Sequence, residues 1–227
     1  MTENENAPAA IVDLSHTIED GMITYQGLPA PKISDHLSRE DSREHYQGNA
    51  EFQIGKIEMV ANTGTYLDSP FHRYQQGSDL SKLPISSVVN LDGITVRVPD
   101  VNQGSIGKEL FEGLYLQHKA VLIHTGWDKY WRLDHYFEGH PYLTRDAAEY
   151  LRDNGAALVG IDSLNIDDTQ DGFRPVHTVL LESNIPIIEH MTNLDQLPIT
   201  GFKLFAPAPK IIGLGSFPVR VFALIDK

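Results

Sequence analysis

The stretch Asn62-Thr-Gly-Thr-Tyr-Leu-Asp-Ser-Pro-Phe-His72 sets a carboxylate, Asp68, shortly before an imidazole, His72, with Pro70 turning the chain between them. Positions of equal parity in an extended segment face one side. Asn62, Gly64, Tyr66 and Asp68 are therefore expected to point toward one place. A carboxylate offers hard oxygens to a cation, and an imidazole with its ordinary pKa of about 6.5 gives and takes protons near neutrality. Such a pair suits metal-assisted or acid/base-assisted hydrolysis. A second acid, Glu189, lies inside the apolar run Ile185-Pro-Ile-Ile-Glu-His-Met191. An acid in a buried strand requires a partner, so Glu189 is also a candidate.

These side chains must be held by the elements around them. Residues 1–9 read as a polar, proline-broken tail, and a first strand begins at Ala10. Residues 19–32 are a loop rich in Gly and Pro, and the charge-dense segment 34–49 is expected to be exposed, as a flap. Alternation over residues 50–69 predicts a strand pair. The second half changes rhythm. Ala120–Gly126 is a short apolar run ended by glycine and reads as a buried strand. A helix follows from the Thr144 cap to the Gly155 stop. Residues 156–162 are another buried strand, residues 175–184 a short helix, 185–191 a strand, and the last seventeen or so residues carry two more strand-like runs. Strand and helix alternate, which predicts one α/β domain over residues 10–227, with a mixed central sheet and flanking helices.

The chain has 227 residues and a net charge of −13, from 31 acids against 18 bases. That charge, with no Lys/Arg cluster, argues against nucleic acid and anionic membrane surfaces as partners. There is no cysteine, so disulfides, thiolate metal sites and cysteine nucleophiles are excluded. No run approaches the roughly 18 apolar residues of a membrane span, and the polar start lacks a leader pattern. A cytoplasmic location is the expectation.

The 62–72 segment resembles the signature of the cyclase family, which includes bacterial kynurenine formamidase and isatin hydrolase: His-x-Gly-Thr-His-x-Asp-x-Pro-x-His. Gly64, Thr65, Asp68, Pro70 and His72 match it, while Asn62 and Tyr66 stand where the pattern has its first two histidines. Further resemblance lies in DLSHTIEDGM from Asp13, LIHTGWDKYW from Leu122, VGIDSLNID from Val159, and the segment from His177 that carries Glu189 twelve residues on. The resemblance spans roughly residues 10–225 and implies an α/β fold of the swivelling β/β/α type. It implies Asp68, His177 and Glu189 as metal ligands and His72 as the catalytic acid/base. It also implies a homodimer or homotetramer.

One imidazole and two carboxylates accept Mn²⁺, Zn²⁺ or Mg²⁺. One divalent ion is therefore expected, without the two loop imidazoles that would favour zinc. Tyr66 is a second catalytic candidate, and Asn62 and Trp127 are candidates for contact with a small-molecule substrate. The leading expectation is a metal-dependent hydrolase of an amide, cyclic amide or lactone. The alternatives are a metal-free lyase, isomerase or cyclase working through His72 and Tyr66, and a non-catalytic ligand-binding protein. Asp162 and Asp167 are expected to satisfy backbone groups near strand ends.

Overall fold

The structure, a computed structural model, describes residues 10–100 and 104–225; the predicted tail over residues 1–9 lies outside them. The first half supplies strands β1 (Ala10–Asp13), β2 (Lys32–Leu37), β3 (Ile54–Glu58), β4 (Tyr66–Asp68), β5 (Val89–Arg97) and β6 (Ser105–Ile106), with a one-turn helix α1 (Arg39–Ser42). The second half supplies β7 (Ala120–His124), β8 (Tyr142–Leu143), β9 (Leu158–Ile161), β10 (Ile187–Glu189), β11 (Phe202–Phe205), β12 (Ser216–Pro218) and β13 (Phe222–Ile225), with helices α2 (Arg145–Asp153) and α3 (Pro175–Glu182).

Nine strands form one sheet in the order β1-β13-β11-β5-β7-β9-β10-β4-β12. Its centre, β5-β7-β9-β10, is parallel, and both flanks are antiparallel. The parallel centre is buried on both faces, by the helices on one and by the curled sheet on the other. Alternation distributes its side chains. Val121, Ile123, Val159, Ile161 and Ile187 enter one core with Ala147, Ala148 and Leu151 of α2 and Val176, Val179 and Leu180 of α3. Leu122, Leu158 and Ile188 enter a second core on the opposite face. Val12 from one end of the sheet shares that second core with Leu67 of β4 from the other end, and Ser15 bridges Met191 just beyond β10. The sheet therefore curls until its distant strands share one interior. The expected single α/β domain with a mixed sheet is the fold found.

Three local expectations are corrected. Residues 50–69 do not form a strand pair: β3 pairs with β2 in a separate two-stranded hairpin, and β4 inserts between β10 and β12. The reach between β3 and β4 is broken by Gly64, whose φ of +65° is left-handed. A Cβ there would also stand 2.9 Å from Ile18 Cγ1. The extended parity from Asn62 to Asp68 fails for the same reason, since only Tyr66–Asp68 is strand. Thr144 does sit before α2, but its hydroxyl donates to Asp146, with the Ile106 carbonyl 3.2 Å away, rather than capping a backbone N–H.

Candidate active site

Strand register builds the site. In the antiparallel ladder, Tyr66 lies opposite Glu189, and Asp68 lies opposite Ser216. The Tyr66 hydroxyl donates to Glu189 Oε2, and the Ser216 hydroxyl donates to Asp68 Oδ1, both as short hydrogen bonds. What comes next in the chain adds His72. Pro70 opens a 3₁₀ turn over Pro70–His72. The turn brings His72 Nδ1 to 2.8 Å from Ser216 Oγ and 3.6 Å from Asp68 Oδ1. The single hydroxyl proton of Ser216 is given to Asp68, so His72 donates from Nδ1 to Ser216. That fixes the tautomer of neutral His72 and leaves Nε2 as its basic atom.

His177 arrives from the other side, on the first turn of α3. Asp167 holds that turn: its carboxylate accepts from Val176 N at 2.7 Å, from His177 N at 3.0 Å and lies 2.6 Å from His177 Nδ1. With Nδ1 engaged, Nε2 stands 3.6 Å from Asp68 Oδ2 and 3.7 Å from Glu189 Oε1. Both separations exceed a hydrogen bond. Asp68 Oδ2 is buried and has no hydrogen-bond donor. Glu189 is fully buried and held by Ile166 N at 2.7 Å, by Asn165 Nδ2 at 3.2 Å and by Tyr66.

Burial and charge compete in this cluster. Burial disfavours a charged His177, but Glu189, Asp167 and Asp68 outweigh it and raise its pKa to about 10. Burial, reinforced by Asp68, pushes Glu189 up to about 7 against the pull of His177 and Tyr66. Asp68 is pulled the other way: His177 and His72 overcome its burial and hold it below the usual carboxylate range. Tyr66 is raised well above the phenol range by burial and by Glu189, so its hydroxyl keeps its proton and acts as a donor.

Asn62, Tyr66, His72, His177 and Glu189 line one cavity of about 340 Å³, a size suited to a small molecule. Asn165, Arg73 and Arg174 line it as well, and Tyr25 and Leu28 form an apolar wall. Trp127 is elsewhere. It is buried in an aromatic cluster with Tyr136 and Leu164 and donates from its indole to the Tyr136 carbonyl at 3.0 Å. Asp162 binds backbone as expected, accepting from Thr125 N at 2.8 Å and Gly126 N at 2.9 Å. Asp167 binds backbone and orients His177 as well. Ser216 and Arg174 were not legible as site residues: the register of β12 on β4 and the loop before α3 leave no local pattern.

The donors suit a divalent cation. One ligand atom each from Asp68, His72 and His177 lies within 4.8 Å of the others, and His177 Nε2 stands 3.6 Å from the unsatisfied Asp68 Oδ2 and 3.7 Å from Glu189 Oε1, so Asp68 and His177 are common to a ligand set that either Glu189 or His72 completes. Oxygen and imidazole nitrogen around a buried, net-acidic point match Mn²⁺, Zn²⁺ or Mg²⁺.

A curled mixed sheet that gathers carboxylates and imidazoles at the mouth of one small cavity defines an α/β protein with a hydrolase-like centre. The chain belongs to the cyclase family, whose model, described as "Putative cyclase", matches residues 12–168. It is 26% identical over 211 residues to a kynurenine formamidase of Bacillus cereus, covering 92% of this chain and 94% of that protein. It is 23% identical over 214 residues to a kynurenine formamidase of Salinibacter ruber, covering 93% and 95%. Among solved structures it superposes on isatin hydrolase A from Labrenzia aggregata with a TM-score of 0.83 at 23% identity, covering 96% of this chain and 94% of that one. A structure described as a potential metal-dependent hydrolase with cyclase activity gives 0.78 at 26% identity, covering 96% and 98%.

Proposed function

We propose that this protein is a metal-dependent amide hydrolase that cleaves the C–N bond of an aryl formamide or a cyclic amide. The observation that carries the reading is the meeting of His72, His177 and Glu189 at one cavity, with the buried Asp68 and Ser216 behind His72. The end-to-end similarity to kynurenine formamidases supports it. Asp68, His177 and Glu189 would hold one divalent ion, Mn²⁺ or Mg²⁺ in preference to tightly held Zn²⁺, because Asn62 and Tyr66 replace two imidazoles. Bound there, the ion would polarise the carbonyl and acidify water.

The chain's own residues supply the remaining chemistry. His72 Nε2 takes a proton from the attacking water as its oxygen bonds to the carbonyl carbon. The same nitrogen returns a proton to the amide nitrogen as the C–N bond breaks. Ser216 and Asp68 hold the ring in the tautomer this requires and stabilise it while it is charged. Tyr66 keeps Glu189 in place through its hydroxyl, and Asn62 presents an amide to the substrate carbonyl. Formate release from formanilide by the purified protein tests the assignment. Turnover that depends on His72 supports it, and unchanged turnover in His72→Ala opposes it.

A homodimer or homotetramer is part of the same proposal. The β2–β3 hairpin stands apart from the main sheet and exposes the cross-strand pair Ile33 and Ile57 on one face. Such an apolar face suits a second copy. A cytoplasmic location is proposed as well, supported by the end-to-end similarity to kynurenine formamidases. Among the described residues no helix is long and apolar enough to cross a membrane.

A further inference from the structure

Two buried carboxylates face His177, and the fold satisfies them unequally. Asp68 Oδ1 accepts the Ser216 proton, while Asp68 Oδ2 is buried and receives no hydrogen bond. Glu189 is the reverse. Its Oε2 accepts twice, from the Tyr66 hydroxyl and from Asn165 Nδ2 at 3.2 Å, and its Oε1 accepts from Ile166 N at 2.7 Å. A carboxylate has about four lone-pair sites. The one left on Glu189 is at Oε1, the oxygen 3.7 Å from His177 Nε2.

Both donors on Oε2 are fixed in place. Tyr66 stands directly opposite Glu189 in the β4–β10 ladder, where cross-strand side chains meet. Its ring is buried beside that of His190, with centroids 5.3 Å apart. The Asn62 side chain donates to the Tyr66 oxygen, so the phenol proton is directed to Glu189. Asn165 is buried as well, and its amide has one orientation that satisfies its neighbours. Its Oδ1 accepts from Asp167 N at 3.0 Å and from Arg174 Nη1 at 3.3 Å, so the donor Nδ2 faces Glu189.

We propose that Tyr66 and Asn165 select the ion. By filling Glu189 Oε2 they confine this residue to a single contact, and Tyr66 competes with the ion for Glu189 instead of binding the ion itself. The inference rests on the proposed site of Asp68, His177 and Glu189 and adds to it a selectivity and the residues that set it. Ca²⁺ takes about six to eight oxygen ligands and commonly engages a carboxylate through both oxygens. Glu189 has no second oxygen to offer it. Mg²⁺ and Mn²⁺ accept few protein ligands and complete an octahedral shell with water. One oxygen from each acid and the His177 nitrogen suffice for them. The two donors on Oε2 also satisfy part of the buried acid's demand for positive charge. Removing either one should therefore strengthen the hold on a cation and widen the range of cations held.

Calorimetric titration of the chelator-treated protein with Mn²⁺ and with Ca²⁺ reads the preference without any turnover. The wild type is expected to favour Mn²⁺. Tyr66→Phe keeps the ring and removes the proton. It is expected to bind Ca²⁺ about 10- to 100-fold more tightly than the wild type, the range for a hydrogen bond to a charged group. Its gain for Mn²⁺ should be smaller, so the preference narrows. Asn165→Ala frees the same oxygen from its other donor and should narrow the preference in the same direction by less; it carries the test if Tyr66→Phe does not fold. Unfolding midpoints give a second readout. Without ion, each variant should unfold more easily than the wild type, because a buried acid has lost a donor. Added Ca²⁺ should then raise its midpoint by more than it raises that of the wild type. Weaker binding of both ions by Tyr66→Phe would make Tyr66 a ligand and overturn the proposal. An unchanged preference in both variants, or no binding of either ion by any of the three proteins, would overturn it as well. The hydrolase reading fails separately: the expected narrowing with no turnover of formanilide in Mn²⁺ would keep the ion selection and remove the hydrolase. Mn²⁺-dependent turnover with an unchanged preference would do the reverse.

Discussion

The proton-handling apparatus comes down to one tautomer. Ser216 has a single proton and gives it to Asp68, so His72 donates from Nδ1 and keeps a lone pair on Nε2. A positioned acid/base contributes about 10²- to 10⁴-fold. His72→Ala should therefore lower kcat on an aryl formamide by that range while leaving the unfolding midpoint close to wild type, since the ring is partly exposed. A loss below about tenfold would remove His72 from the chemistry. A second prediction concerns Asn62 and Tyr66. If both positions face the ion, Asn62→His with Tyr66→His should tighten zinc binding by roughly tenfold or more, because an amide and a phenol engaged with Glu189 become two imidazole ligands. Metal content after dialysis against Zn²⁺ measures it, and unchanged affinity would mean that the loop does not address the ion. At this scale the sequence was informative for Asp68, His72, His177 and Glu189, which lie in local patterns and come together. It was silent on Ser216, whose partner lies 148 positions away. It misplaced Trp127, because a ring in an aromatic-rich segment looks the same whether it lines a cavity or fills a core.

The elements act through close approach and through caps. Asp167 holds the N-terminal turn of α3 by two backbone N–H groups and fixes His177 by its ring. Loss of a cap costs about 0.5–2 kcal/mol, and breaking a buried charged pair costs about 3–5 kcal/mol. Asp167→Ala should therefore lower stability by about 3 kcal/mol in urea unfolding and depress turnover. Asp167→Asn should keep most of the stability, as its side chain still accepts from the backbone. Equal effects of the two would show that the charge, not the cap, positions His177. The second contact is Gly215. A Cβ there would lie 2.4 Å from His72 N and 2.6 Å from its Cα, so β12 reaches the site only because this position has no side chain. Gly215→Ala should cost about 1–3 kcal/mol, as overpacking does, and should shift His72 off Ser216, lowering kcat. Strands such as β7, β9 and β10 were legible because apolar runs of that length, ended by glycine or polar residues, have few other uses. The pairing of β4 with β10 and β12 was not legible, since a three-residue strand has no periodicity and its register is set by residues far along the chain.

For the whole molecule, fold class followed from the alternation of strands and helices, whereas the curl that joins Val12 and Leu67 in one core depends on pairings no local window contains. Acid sensitivity is a property of this closed interior. His16 stacks on Trp131 with ring centroids 4.1 Å apart, and its Nε2 is buried without a hydrogen-bond partner. Burial lowers its pKa to about 4 against a smaller pull from Asp128. Below the ordinary value of about 6.5 the unfolded chain takes a proton that the folded chain refuses, so this group costs stability as pH falls from about 6.5 toward 4. Asp162 and Glu189, raised to about 7, act in the opposite sense, so the total curve hides the effect. The comparison with His16→Gln isolates it. Relative to that variant, the wild type should lose up to about 2 kcal/mol between pH 6.5 and 5 in urea unfolding. A constant difference would show that His16 is hydrated.

The central claim, an amide hydrolase that works through one divalent ion and His72, is tested most directly by formate release from an aryl formamide, measured on one preparation with Mn²⁺, then with excess EDTA, then with Mn²⁺ restored. The account predicts turnover, its loss in chelator and its return. Undiminished turnover in chelator, or none on any aryl formamide or cyclic amide under any of the three conditions, would contradict it.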